Sequence, residues 1–201
     1  MSLDVLLITP PSRLEVYQKL AGEYAAIEPP VWSSLIAKYL INRGYNVKIL
    51  DAEAEFYNHK ETAEIIVKEN PKLAVYMIYG QQPSASTQCM PGGRKTATIV
   101  NESTNNEIKS LVIGTHASAL PRRTLEEEPY TFVCQGEGPI TIEHLLKALN
   151  ILSRKYPNTV HLKIYGESNN PYYEKELKNI NFTKIYNEEN KGCKWSVTKR
   201  H

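Results

Sequence analysis

Short continuous apolar runs alternate along this chain with longer stretches in which apolar residues recur at helical spacing. The runs are typical of strands that are buried on both faces of a sheet. They are Asp4–Thr9, Asn46–Leu50, Leu73–Tyr79, Leu111–Ile113 and Tyr130–Cys134. The clearest helical stretches are Val31–Gly44, Glu61–Glu69 and Thr141–Leu149. Thr96–Val100 has helical spacing too, although Pro91-Gly92-Gly93 and its β-branched residues oppose a helix there.

This alternation predicts the fold class. Strands separated by helices form a doubly wound parallel α/β sheet. Five strands suggest the flavodoxin-like (Rossmann-like) order 2-1-3-4-5, with a ligand beyond the carboxyl ends of the strands. We expect this domain to occupy residues 1–150.

The character of the chain changes after residue 150, where we expect a C-terminal extension of unknown role over 151–201. Within it, VHLKIYGE is typical of a strand and PYYEKELKN of a short helix. The tail from Asn181 is rich in Asn, Lys and Glu, which predicts that it is either loosely ordered or the stub of something longer.

Composition excludes several classes of protein. The net charge of the 201 residues is +2 and the basic residues are scattered, which argues against nucleic acid. The sequence has no apolar run of membrane-spanning length and no signal peptide, so we expect a soluble, cytoplasmic protein that does not bind a membrane. Cys89, Cys134 and Cys193 are odd in number and far apart, which argues against a disulfide framework.

The segments that follow the strands are rich in hydroxyls, amides and glycines and carry little formal charge. Such a rim suits a large, mostly neutral ligand that bears amides. The candidate binding residues are Thr9 and Pro10 after the first strand, Gly80, Gln81, Gln82, Pro83, Ser84, Ser86 and Thr87 after the third, Gly114, Thr115, His116 and Ala119 after the fourth, and Gly136, Glu137 and Gly138 after the fifth.

Familiar motifs for other chemistries are absent. PGGRKT at 91–96 lacks the leading glycine and the Gly-Lys-Ser/Thr order of a phosphate loop. No glycine lies between residues 1 and 21, so there is no dinucleotide fingerprint after the first strand. The chain has no GxSxG nucleophile elbow, and the first strand ends without the acidic cluster of a receiver domain.

Five pieces of the chain, taken in order, resemble one family. They are LLITPP at 6–11, EPPVWSSLIAKYLINRGYNVKILDAEAE at 28–55, YGQQPSASTQ at 79–88, IGTHASALP at 113–121 and FVCQGEG at 132–138. Together they resemble the cobalamin-binding domain at the N-terminus of cobalamin-dependent radical SAM enzymes, a group that includes the anaerobic Mg-protoporphyrin cyclase and many methyltransferases. The resemblance covers about residues 3–150.

The resemblance implies a role for the rim. The corrinoid would lie over the carboxyl ends of the strands, and its nucleotide tail, detached from cobalt, would insert between the third and fourth strands. Ser84, Ser86, Gly114 and Thr115 would give the tail room and hydrogen bonds, and Gly136 and Gly138 would let backbone amides approach. Gly114 is therefore expected to matter more for cobalamin than for folding.

The chain departs from many cobalamin domains in having no DxHxxG motif after the first strand, whose histidine would ligate cobalt. Gln81 and Gln82 are the candidates to lie near the lower cobalt face. His116 is an alternative ligand, but we expect it to make a hydrogen bond in its loop instead. No residue of the chain is expected to bind a metal directly.

Radical SAM chemistry needs an iron–sulfur cluster held by CxxxCxxC, and the three cysteines do not have this spacing. We therefore expect no iron–sulfur cluster on this chain and no catalysis by it alone. A truncated gene, an excised domain and a subunit that works with a radical SAM domain or protein in trans all remain open.

Two other functions compete with cobalamin binding. The first is a flavodoxin-like binding or regulatory module that has lost the corrinoid, which Gly92-Gly93 and the weak helix signal favour as signs of relaxed constraint. The second is a fragment of a nucleotide-sugar transferase, suggested by the strand and helix patterns in residues 151–201.

Overall fold

The computed structural model describes residues 2–21, 25–80, 83–155, 161–164, 182–186 and 193–198. The chain divides into two compact units, residues 1–143 and residues 144–201. The first unit contains the predicted α/β sheet, and the second contains a small separate sheet.

The first unit is built on five parallel strands. They are β1 (Val5–Thr9), β2 (Val47–Asp51), β3 (Leu73–Met77), β4 (Ser110–Ile113) and β5 (Phe132–Val133). Their order in the sheet is β2-β1-β3-β4-β5, and every pairing is parallel. The prediction of a flavodoxin-like sheet of order 2-1-3-4-5 is therefore confirmed. The central strand β3 is buried along its whole length, which is why its sequence is continuously apolar.

Seven α-helices lie in the described part of the chain. They are α1 (Arg13–Tyr17), α2 (Val31–Ile41), α3 (His59–Glu69), α4 (Pro83–Thr104), α5 (Thr115–Ala119), α6 (Pro121–Glu127) and α7 (Pro139–Lys155). A 3₁₀ helix, Gln18–Ala21, continues α1. The start of α3 is specified locally, because the Asn58 side chain accepts hydrogen bonds from the N–H groups of Lys60 and Glu61, and the Glu61 carboxylate accepts one from the Asn58 N–H.

Helix α4 differs most from the sequence prediction, because it runs without interruption through Pro91, Gly92 and Gly93. A Cβ atom on Gly92 would collide with the carbonyl of Pro11 and with Ser12, and one on Gly93 would lie 2.7 Å from Ile78 Cδ1. The two glycines thus let the helix pack closely on the sheet. Their interpretation as a sign of relaxed constraint is wrong, because tertiary packing requires them and outweighs their low helix propensity.

The segment after β4 is also more helical than expected. Residues 115–119 form α5, and Pro121 then begins α6 at a position where its missing N–H costs nothing. On α6, Arg122 pairs with Glu126 and Arg123 pairs with Glu127 at (i, i+4) spacing. The rim after β4 is therefore a pair of short helices rather than a loop.

The sheet is covered on both faces. Leu6, Ile8 and Tyr76 point into a core that also holds Ile66 of α3 and Val100 of α4. On the opposite face α2 buries Ser33, Ile36, Ala37 and Leu40. The Tyr39 hydroxyl of α2 donates to Glu143 of α7 over 2.9 Å, which joins the two helices of that face.

The second unit contains a three-stranded antiparallel sheet of order β6-β8-β7. Its strands are β6 (His161–Ile164), β7 (Phe182–Tyr186) and β8 (Cys193–Thr198). Strand β6 lies in the predicted VHLKIYGE segment, whereas the proposed helix PYYEKELKN lies outside the described residues. Strands β7 and β8 were not predicted. In β8, Cys193, Trp195 and Val197 alternate with polar residues, a strand signal that the polar composition of the tail obscured.

None of the helices in the described part of the chain is both long and apolar enough to cross a lipid bilayer.

Candidate functional site

The exits of strands β1, β3, β4 and β5 lie at one edge of the sheet, which we call the carboxyl edge. Because the sheet is parallel and each helix returns antiparallel to its strand, the N-termini of α2, α4, α5 and α7 lie at this edge too. Open α/β sheets bind ligands here.

Ser86 joins the exits of β3 and β4. Its buried hydroxyl donates to the Ile78 carbonyl over 2.5 Å and accepts from the His116 N–H over 3.1 Å. One side chain thus ties the end of β3 to the first turn of α5. Since both of these partners belong to the protein, Ser86 acts here as a positioning residue.

His116 is half-buried on α5, and its Nδ1 lies 2.9 Å from the hydroxyl of the exposed Thr87 on α4. The hydrogen bond expected for His116 is therefore present, although the residue lies on a short helix and not on a loop. It is a second link between the exits of β3 and β4.

The exit of β5 is held against that of β4. The N–H of Gly136 donates to the Ser118 hydroxyl of α5 over 3.0 Å, and Gly136 has a φ of 102° that favours glycine. Gly138 packs between the two layers, because a Cβ there would lie 2.9 Å from Ile113 Cδ1 and 3.6 Å from Ile36 Cδ1.

Gly114, the residue that precedes α5, is enclosed by protein. A Cβ at this position would collide with the carbonyl of Ile78 and would lie 2.9 Å from Ser86 Oγ. The fold alone therefore accounts for glycine here, whereas Gly114 was expected from the sequence to matter more for cobalamin than for folding. A contribution of Gly114 to cofactor binding stays a prediction.

The exit of β1 is fixed separately. The Thr9 carbonyl accepts from the Ala52 N–H over 3.0 Å, and the buried Ser12 hydroxyl donates to the Pro10 carbonyl over 3.2 Å. Residues 9–12 contain no histidine. This part of the edge is rigid and offers no imidazole.

The other candidate residues are distributed along the same edge. Gly80 lies against Ala85 in the first turn of α4, and Pro83 and Ser84 begin that helix. Thr115, Ala119 and Glu137 are exposed. Gln81 and Gln82 lie outside the described residues. The structure thus brings together the candidates of β3, β4 and β5 through Ser86, His116 and Ser118. Thr9 and Pro10 bond instead to Ala52 and Ser12.

Three edge residues were missed as candidates by the sequence analysis: Trp32, Tyr79 and Ser118. Trp32 of α2 and Tyr79 after β3 stack with ring centroids 5.6 Å apart and planes 22° from parallel. Burial, followed by the charges of Cys134 and Glu137, raises the pKa of Tyr79 to about 12. The signal for Trp32 was its position two residues after Pro30, since the start of a helix that follows a strand lies at the carboxyl edge.

A charged cluster lies beside the exits of β1 and β2. Glu15 of α1 accepts from His59 Nε2 over 2.8 Å and from Lys95 Nζ over 2.7 Å. Burial alone would raise the pKa of Glu15, but the hydrogen bonds from Lys95 and His59 outweigh it, so the pKa is lowered. A cavity of about 120 Å³ borders this cluster and is lined by Arg13, Glu53 and Phe56 among others.

Within the described ranges, no group of three or more His, Cys, Asp or Glu side chains is arranged to hold a metal ion. Cys134 is buried, and burial raises the pKa of its thiol, so it is a poor thiolate ligand at neutral pH.

A parallel sheet whose exits form a mostly neutral edge beside a stacked aromatic pair defines a ligand-binding domain of the doubly wound α/β class. The sequence profile of the B12 binding domain matches residues 17–146, so the chain belongs to the B12-binding domain family. Cobalamin is the ligand that this membership supports.

Two known proteins are similar to the chain. An uncharacterised methyltransferase of Pyrococcus horikoshii is 26% identical over 149 residues, which are 74% of this chain and 30% of that protein. The structure of the radical S-adenosylmethionine methyltransferase TsrM from Kitasatospora setae, with cobalamin and a 4Fe–4S cluster bound, aligns with a TM-score of 0.55 at 19% identity. A second TsrM structure, with tryptophan substrate and a SAM analogue, aligns with a TM-score of 0.53.

These alignments cover only part of the similar proteins. The TsrM alignment spans 75% of this chain and 27% of TsrM, so the chain covers under a third of each of the proteins it resembles. At this identity the structural likeness establishes the fold alone.

Proposed function

We propose that this chain binds cobalamin at the carboxyl edge, with the benzimidazole base detached from cobalt, as the cofactor-binding part of a radical SAM methyltransferase or cyclase-type system. When bound, cobalamin supplies a cobalt centre suited to methyl transfer. The residues of this chain bind and orient that group.

The observation that carries the proposal is the hydrogen-bond network across three neighbouring strand exits. Ser86, His116 and Ser118 link β3 to β4 and β4 to β5. A network within the protein holds the exits in place before a ligand arrives, which lowers the entropic cost of binding. The edge is mostly neutral, as an amide-bearing corrinoid requires.

The side chains proposed to contact cobalamin are those that are exposed at the carboxyl edge. The side chains of Thr87 and Thr115 are exposed at the starts of α4 and α5, and Ala119 and Glu137 are exposed nearby. We assign the nucleotide tail to the side of the edge near Ser84 and Thr87, and the corrin amides to the side near Gly136. Gln81 and Gln82 stay the candidates for the lower cobalt face.

The lower axial position is expected to lack a protein histidine. The exit of β1 contains none, and one ring nitrogen of His116 is engaged by Thr87. The other ring nitrogen of His116 is the atom that would have to ligate cobalt, so His116 is the residue whose ligation should be tested.

The iron–sulfur chemistry of such a system is proposed to lie outside these residues. The 201 residues contain no CxxxCxxC motif, and the chain spans under a third of the similar methyltransferases. A radical SAM domain, in the same polypeptide or in a partner, would then supply the cluster. We expect this chain to hold no iron–sulfur cluster.

The experiment is a titration with hydroxocobalamin, read by the visible spectrum, followed by electron paramagnetic resonance of the Co(II) form. We expect stoichiometric binding and a signal without nitrogen splitting, unchanged in His116→Ala. Nitrogen splitting that disappears in His116→Ala would assign His116 as the ligand, and the absence of any bound corrinoid would overturn the proposal.

A further inference from the structure

Helix α2 exposes an unusual amount of apolar surface at its start. Val31, Trp32 and Leu35 are 55%, 52% and 58% exposed, whereas Ile36 and Leu40 on the same helix are buried. Exposed large apolar side chains that occur singly need no explanation, but three on one turn of a helix, at a ligand-binding edge, indicate a contact surface.

Tyr79 holds Trp32 in one orientation. The two rings are stacked, 5.6 Å apart, so one face of the indole is covered by Tyr79. Tyr79 lies two residues beyond β3 and is half-buried, with Cys134 and Glu137 close enough to affect its ionisation. Trp32 is thus an exposed aromatic side chain on a fixed support.

The pair lies between two parts of the carboxyl edge. Gly138, in the turn after β5, packs on Ile36 of α2, which places the β5 exit directly beside the first turns of this helix. Ile140, in the first turn of α7, is 59% exposed. Four exposed apolar side chains therefore lie near the starts of the two helices beside the β5 exit, and we call this set the apolar wall: Val31, Trp32, Leu35 and Ile140.

We propose that Trp32 packs against the corrin macrocycle and that the apolar wall is the corrin-binding side of the edge, an inference that rests on the proposed function. A corrin ring is broad and flat and carries methyl and methylene groups at its periphery. A fixed indole with aliphatic neighbours suits such a surface, because aromatic side chains bury a large area with little loss of conformational entropy. The nucleotide tail, which is narrow and carries a phosphate, fits the wall poorly.

The first test compares hydroxocobalamin affinity among single variants of the full chain. Trp32→Ala should raise the Kd about tenfold or more, as expected when a central aromatic contact is truncated. Trp32→Phe, which keeps a ring, should raise it by only about threefold or less. Ile41→Ala is the matched control, since Ile41 is 49% exposed at the other end of α2, away from the carboxyl edge, and its loss should leave the Kd unchanged.

The second test needs no variant. Hydroxyl-radical footprinting with mass spectrometry should show strong oxidation of Trp32 in the free protein and protection in the hydroxocobalamin complex. Phe56 is 65% exposed beyond β2 and serves as the internal control, whose oxidation should not change. This test remains decisive if Trp32→Ala does not fold.

The outcomes separate this inference from the proposed function. If the wild-type chain binds cobalamin, but Trp32 stays as reactive in the complex and Trp32→Ala binds with unchanged affinity, the inference is wrong and the proposed function stands. If the wild-type chain binds no corrinoid, both are wrong. Thermal melting of each variant shows whether a lost affinity reflects a lost fold.

Discussion

At the scale of single residues, close packing against neighbouring elements explains three glycines better than the conformational freedom of glycine does. Gly92, Gly93 and Gly114 each lie where a Cβ would meet the backbone or side chains of neighbouring elements. Loops and ligand sites also use glycine, so the residue type alone does not distinguish these roles. The neighbours of each glycine in the fold make the distinction.

Gly93→Ala is expected to destabilise the protein by about 1–3 kcal/mol, because the new methyl would overpack the core near Ile78 and Tyr130. The sign of this change in the free energy of unfolding is informative, since replacing glycine by alanine inside an exposed helix stabilises a protein by about 1 kcal/mol. Urea unfolding measures the difference.

The control for this substitution is Gln88→Ala, at an exposed position of the same helix. It should change stability by less than about 0.5 kcal/mol. A Gly93→Ala variant that is more stable than the wild type would show that α4 does not pack on the sheet as described.

At the scale of elements, ion pairs attach the segment after β1 to the helices beside it. Glu15 of α1 binds His59 of α3 and Lys95 of α4, and Glu53 accepts from the N–H groups of Ser12 and Arg13. Helix α1 has only five residues and would not be stable alone. Its position depends on these contacts.

The pKa of Glu15 is lowered in the folded state, so its ionised form adds stability above the ordinary pKa of 4.5 and loses it as the pH falls through the folded value. Glu15→Gln should therefore lower stability at pH 7 by on the order of 1 kcal/mol and flatten the loss of stability in acid. Urea midpoints between neutral pH and about pH 3 measure both effects.

Asp51 provides a control of opposite sign. Burial raises the pKa of Asp51, so protonation of this carboxyl in acid favours the folded state. Asp51→Asn should make the loss of stability with falling pH steeper, whereas Glu15→Gln should make it shallower. If both variants shift the curve in the same direction, the assigned causes are wrong.

At the scale of the whole molecule, the chain passes from the first unit to the second within one helix. The unit boundary falls between residues 143 and 144, whereas α7 continues to Lys155. A domain that ends at residue 150, as the sequence suggested, would cut this helix and remove its last turn. Among the described residues, no strand beyond residue 143 belongs to the five-stranded sheet.

A chain of residues 1–155 is therefore expected to fold cooperatively and to bind hydroxocobalamin with the affinity of the full chain. Circular dichroism during urea unfolding and a visible-spectrum titration test the two parts of this prediction. A fragment that folds but binds at least about tenfold more weakly would show that residues 156–201 contribute to the site.

The sequence by itself determined the five strands of the first unit, their parallel order and the family. Continuous apolar runs report burial on both faces locally, and the connection rules for parallel strands leave few orders for five of them. It also predicted binding at the carboxyl edge, because the exits of parallel strands can be read directly from the ends of those runs.

Only the tertiary structure decided the continuity of α4, the enclosure of Gly114 and the exposed position of Trp32. Each depends on atoms that are distant in sequence: Pro11 and Ile78 for the glycines, and Tyr79 for the indole. Local propensity opposed a helix at Pro91-Gly92-Gly93, and the helical spacing in Val31–Gly44 did not single out Trp32. Close packing across elements is not encoded in any window of neighbouring residues, so the sequence pattern could not reveal it.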